Sequence, residues 1–157
     1  MQRMLSFVLL ASLAAACGRT RPSTGQESTA AATELSSGIV DPYLKINTAL
    51  AADSIDGVKA NAGDIATAAS SLGPFAFRIG TSAVQLAAAA DLADARAKLG
   101  ALSEAIDAYM ATQHLAPPEG IRMAFCPMVM KPWLQKDGPL RNPYYGSQML
   151  TCGSFRN

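Results

Sequence analysis

The chain has 157 residues, half of them hydrophobic but only 6% aromatic, with 13 basic against 12 acidic side chains. That length supports one domain with a modest core and leaves little room for two, and an apolar fraction dominated by alanine favours helix over sheet. A near-neutral chain without a basic stripe has no electrostatic footprint for nucleic acid, which excludes that partner class.

Residues 1–16 join a basic start at Arg3, an apolar run at 4–13 and the small residues Ala14, Ala15 and Ala16 before Cys17. This is the plan of a secretory signal peptide, with an apolar run too short to span a bilayer as a permanent helix. Two readings of its end stay open. Leu13-Ala14-Ala15-Ala16-Cys17 resembles a bacterial lipoprotein signal, in which Cys17 is lipidated and becomes the new N-terminus. Ordinary cleavage after Ala-x-Ala would instead leave Cys17 as a stray thiol, a liability in an exported protein. Lipidation is the expectation, with a periplasmic domain held on a bacterial membrane by that lipid alone. Residues 17–37 are rich in Ser, Thr, Gly and Gln without apolar periodicity, and read as a flexible tether.

Residues 38–157 are expected to form the domain. In 38–51, Val40, Tyr43, Leu44, Ile46 and Leu50 follow a helical pattern, with Asp41 placed to cap and Pro42 at the first helical position. Asp53 is the expected cap of a second helix, on which Ile55, Val58, Ala62, Ile65, Ala69 and Leu72 form one apolar stripe ended by Gly73-Pro74. Residues 75–80 read as a short connection, and Ser82 as the cap of a third helix. Asp91 restarts the pattern for Leu92, Ala95, Leu99, Leu102, Ile106 and Tyr109, either as a fourth helix or as an extension of the third. Gly100 inside it implies close packing or a bend. The predicted fold is all-α: an antiparallel bundle of three to four helices with a loop-rich C-terminal segment packed on it.

That segment, after Pro117-Pro118-Glu119-Gly120, carries prolines and glycines too densely for regular helix or central strand. It also holds half of the chain's ten aromatic residues, four of its seven methionines and two of its three cysteines. Pro127 biases Cys126 toward extended geometry, so Cys126 and Met128 can project from one side. Met149 and Cys152, at i,i+3, share a face if they lie on a helical turn. Thiolate and thioether donors together select Cu(I), or its soft congener Ag(I), over zinc. Cys126, Met128, Met149 and Cys152 are therefore the candidate metal ligands. The alternative is a Cys126–Cys152 disulfide, worth about 3 to 4 kcal/mol for such a loop. Met123 and Met130 read as gap-fillers of a small core, His114 as a charge on a helix C-terminus, and Trp133, Tyr144 and Tyr145 as core rings.

Taken together, Cys126-Pro127-Met128, Trp133-Leu134, Asn142-Pro143-Tyr144-Tyr145-Gly146 and Met149-Leu150-x-Cys152-Gly153 resemble the C-terminal signature of a bacterial domain-of-unknown-function family, number thirty-three forty-seven. Asp91-Leu92-Ala93-Asp94-Ala95-Arg96 resembles its last helix, and Tyr43-Leu44 with Ala49-Leu50 its first. The likeness covers about residues 39–153 and lacks the Gly- and Asn-rich insertion before Trp133. Such domains occur alone, often exported, and fused to the C-terminus of CusB-type adaptors of heavy-metal efflux pumps. The resemblance implies copper or silver handling, with a CusB-type adaptor or another periplasmic metal carrier as partner. No thiol-exchange motif, nucleophile elbow or phosphate loop is present, so binding rather than catalysis is expected. The alternative is a disulfide-stapled structural or interaction module without metal.

Overall fold

A computed structural model describes residues 35–156 of the chain. The apolar periodicity of the first two thirds becomes four α-helices: α1 (Asp41–Ala51), α2 (Val58–Ser71), α3 (Phe77–Ala87) and α4 (Leu92–Thr112). Among the described residues helix is already present in the last part of the stretch assigned to the tether, as a π-helical turn at Leu35–Val40 that crosses its expected end at residue 37. Val40 is itself helical, so Asp41 does not cap, although Pro42 sits in the first turn. Gly57, at φ +73, occupies the position before α2. Asp53 is thereby released from capping, and Ile55 lies outside the helix, 46% exposed. The rest of the stripe, Val58, Ala62, Ile65 and Ala69, is buried.

A 3-10 turn at Pro74–Ala76 leads directly into α3, which therefore starts ahead of Ser82. Asp91 does cap α4: its Oδ1 accepts from the Asp94 N–H at 2.9 Å. The break between α3 and α4 falls there. Ala95, Leu99, Leu102, Ile106 and Tyr109 of α4 are buried. A Cβ on Gly100 would lie 3.2 Å from Cγ of Lys131, so the glycine serves close packing rather than a bend.

The all-α expectation is overturned by the chain beyond α4. The tail forms an antiparallel sheet of three strands, β1 (Ile121–Cys126), β2 (Lys131–Lys136) and β3 (Ser154–Phe155), in the order β2-β1-β3. The fold is mixed α and β, with β2 packed against α4 and α1. Proline density across the tail concealed a proline-free window at 119–126. That window supplies the central strand, where every N–H is needed for a ladder. Pro132 lies in β2 at the edge, paired with Phe125, where its missing N–H costs nothing.

The outer edge of β2 is sealed by side chains. The Leu134 backbone faces the Tyr43 hydroxyl and its carbonyl accepts from Asn47 Nδ2 at 3.1 Å, while the Tyr144 hydroxyl donates to the Pro132 carbonyl. Tyr43 Oη also lies 2.6 Å from Ser103 Oγ on α4, and Tyr144 Oη lies 3.2 Å from the same atom. Burial pushes both phenols up, so they stay protonated and keep donating. An edge that would otherwise recruit another strand is thereby closed.

Arg96 of α4 ties the helices to the loop after β2. Its Nε donates to the Pro143 carbonyl at 3.0 Å, and its Nη2 to the Leu50 carbonyl at 2.9 Å and to Asp53 Oδ1 at 2.5 Å. Asp53 Oδ2 in turn accepts from the Ser147 N–H at 3.2 Å. Gly146, at φ +54, passes so close that a Cβ would collide with Asp53 Oδ1 and Arg96 Nη2. Hydrogen bonding from Ser147, then from Arg96, holds the Asp53 carboxyl down to about 2. A depressed carboxyl stabilises the fold above its unfolded value of about 4 and loses that contribution as pH falls toward the folded value. The thermal midpoint should therefore fall between pH 4 and pH 2, and less steeply in Asp53→Asn; parallel profiles for the two proteins would contradict the assignment.

Candidate metal centre

Cys126 is the last residue of β1, opposite Lys131 in register. Strand alternation puts it on one face with Ala124, and both side chains are fully buried. Cys152 comes from the far end of the tail. It closes a tight turn in which its N–H donates to the Met149 carbonyl at 3.0 Å. The turn is fixed by Asn142, itself fully buried. Asn142 Nδ2 donates to the Cys152 carbonyl at 2.8 Å, its N–H to Leu150 O at 2.7 Å, and its Oδ1 accepts from the Tyr144 N–H at 2.8 Å.

The next residue sets the depth of the turn. Gly153 has φ +136, and a Cβ there would stand 2.6 Å from Trp133 Cη2 and 2.8 Å from the Phe125 carbonyl. Only glycine lets the chain run flush against that ring and the end of β1. Trp133 is fixed in turn by its Nε1 bond to Gln135 Oε1 at 3.0 Å and its edge-on contact with Tyr144, 6.2 Å between ring centres.

The result is a pair of free thiols, Cys126 buried and Cys152 half-exposed over it. The Cys126 sulfur is near enough to act on the Cys152 thiol. Partial burial, and then the neighbouring Cys126 sulfur, push the Cys152 thiol up, which keeps it protonated at neutral pH. Deprotonation there awaits something that stabilises thiolate, and a bound soft cation does so.

The thioethers are placed differently. Extended geometry stops at Cys126, and Pro127 to Met130 form the hairpin loop, so Met128 is 60% exposed at its tip. Met149 comes directly after the 3-10 turn Gly146–Gln148 with φ −147 and opens a tight turn rather than a helical one; it is 37% exposed. The structure thus brings Cys126 and Cys152 together and leaves Met128 and Met149 on the surface. Met123 is core, but Met130 is 65% exposed, not a gap-filler. His114 is exposed and left-handed at φ +54 just beyond α4. Trp133 and Tyr144 are buried and Tyr145 half-buried. Cys17 lies outside the described residues.

Among the described residues no three His, Cys, Asp or Glu side chains converge where they could hold a metal ion. The donor set therefore does not fit zinc, which calls for three or four such ligands. Two neighbouring thiols are donors of the type a soft, low-coordinate ion takes. Asn142 and Gly153 are the residues whose roles the residue pattern left unread; the signal was an amide beside a proline, and a glycine directly after Cys152. Comparisons with family models, with curated proteins and with solved structures find no match to this chain.

Exposure alone sets the order of thiol modification. Iodoacetamide on the native reduced protein should label Cys152 first and Cys126 only after denaturant is added, read by peptide mass spectrometry. Simultaneous labelling of both in the native state would contradict the packing described.

Proposed function

We propose that the protein is an exported, lipid-anchored binding protein for soft monovalent metal, Cu(I) or Ag(I), acting in metal homeostasis or efflux. Cys126 and Cys152 supply the thiolates, and Met128 and Met149 supply thioethers at the mouth of the site. The observation that carries this reading is the nearness of two free thiols from opposite ends of the tail, one buried and one half-buried, close enough for the Cys126 sulfur to bear on the Cys152 thiol. Binding replaces two S–H bonds by two metal–sulfur bonds and releases two protons to solvent, so the metal does not change oxidation state. Export, the lipid on Cys17, and a CusB-type adaptor or other periplasmic carrier as partner rest on the sequence and on the family it resembles.

The same contact supports a second reading. Two adjacent thiols in an oxidising compartment form a disulfide, closing the loop between β1 and the end of the tail and stabilising the fold by about 3 to 4 kcal/mol. The protein would then be a stapled interaction module.

A Cu(I) titration of the reduced protein against a colorimetric chelator separates the two. One tightly held equivalent is expected. It should be lost in Cys126→Ser and in Cys152→Ser, and weakened about tenfold, about 1.4 kcal/mol, in Met149→Ala. A reduced wild type that does not compete with the chelator would leave the stapled module as the function.

A further inference from the structure

The hairpin loop presents two thioethers where packing explains neither. Cys126 and Lys131 pair across its base. That base is anchored on α4, since the Lys131 stem crosses Gly100 and its Nζ meets Glu104 Oε1 at 2.7 Å. Within the loop Val129 packs against the core, while Met128 and Met130 stand out at 60% and 65% exposure. Met130 also holds φ +54, a left-handed conformation that disfavours any residue with a Cβ and that glycine or asparagine would adopt more cheaply. The position thus carries two costs, an exposed apolar side chain and a strained backbone, without gaining burial. What methionine brings that glycine or asparagine cannot is a soft, unbranched thioether on a flexible arm.

We propose that Met128 and Met130 form an outer capture station for Cu(I) or Ag(I), from which the ion passes to the thiols beneath. The proposal rests on the dithiol reading for its second step only. Met128 lies two positions beyond Cys126, a Cα span of at most about 7 Å, so the ion moves by ligand exchange without a large displacement of the chain. Thioether–metal bonds break as thiolate–metal bonds form, the two thiol protons leave to solvent, and the ion stays monovalent throughout. The thioethers need no deprotonation, so the station accepts metal while both thiols are still protonated. Met130 sets the rate of loading, and the cysteines with Met149 set the final affinity.

Two measurements test the two steps separately. In full-length protein carrying Cys126→Ser and Cys152→Ser, with methyl-13C methionine, Ag(I) should shift the Met128 and Met130 methyl resonances together and leave that of buried Met123 in place. Unshifted Met128 and Met130 signals would overturn the station whatever the thiols do. In the reduced wild type, stopped-flow loading from a Cu(I) chelator complex should slow roughly tenfold on Met130→Leu, with the equilibrium affinity unchanged. Equal loading rates would overturn the relay. A wild type that fails to load while the silver shifts persist would sink the dithiol reading and leave the outer station standing.

Discussion

The architecture turns on one guanidinium. Arg96, in the second turn of α4 and with its side chain only 16% exposed, is shared by the end of α1 at Leu50, the turn at Asp53 and the tail at Pro143. Each offers an oxygen that helix or sheet bonding does not use up: a carbonyl in the last turn of α1, a turn carboxylate and a loop carbonyl. A planar fork with five N–H groups can serve three acceptors from one fixed position, which a lysine cannot. Gly146 belongs to the same arrangement, because any side chain there would displace the carboxylate.

From that anchor the tail is led back over the sheet. Pro143 is held by Arg96, and Asn142, one residue earlier, holds Cys152 and Leu150. The Asn-Pro-Tyr-Tyr-Gly run is therefore a jig: the asparagine fixes the cysteine turn, the proline carbonyl takes the arginine, the first tyrosine seals the edge of β2, and the glycine clears the carboxylate. Its outcome is that a thiol from the far end of the tail lies against Cys126. The sulfur pair is thus a product of polar bonds made elsewhere, and it needs no strong bond of its own to be assembled.

The helices were legible because their stripes repeat at intervals that only a helix satisfies, and Asp91 with Asp94 marks the start of α4 as a local signal should. Asp41 and Asp53 misled as caps for different reasons: a π-helical turn runs directly into Asp41, and the partners of Asp53, Arg96 and Ser147, are remote in sequence. The sheet was hidden for a similar reason. Proline content averaged over the tail argues against strands, yet β1 is short, proline-free and central, and β2 carries its proline on an edge whose polar groups are met by Tyr43, Asn47 and Tyr144. No local pattern announces those partners. In the site, the sulfur residues were found by type and spacing, but spacing alone placed the methionines beside the cysteines, whereas hairpin and turn geometry carry Met128 and Met149 outward.

The central claim is that the two thiols are a ligand pair for a soft monovalent ion. The most direct measurement is X-ray absorption at the copper edge on the reduced protein loaded with one equivalent of Cu(I). The account predicts a monovalent edge and a first shell of sulfur alone, which Cys126→Ser abolishes. A shell containing nitrogen or oxygen, or one that survives that substitution unchanged, would contradict it.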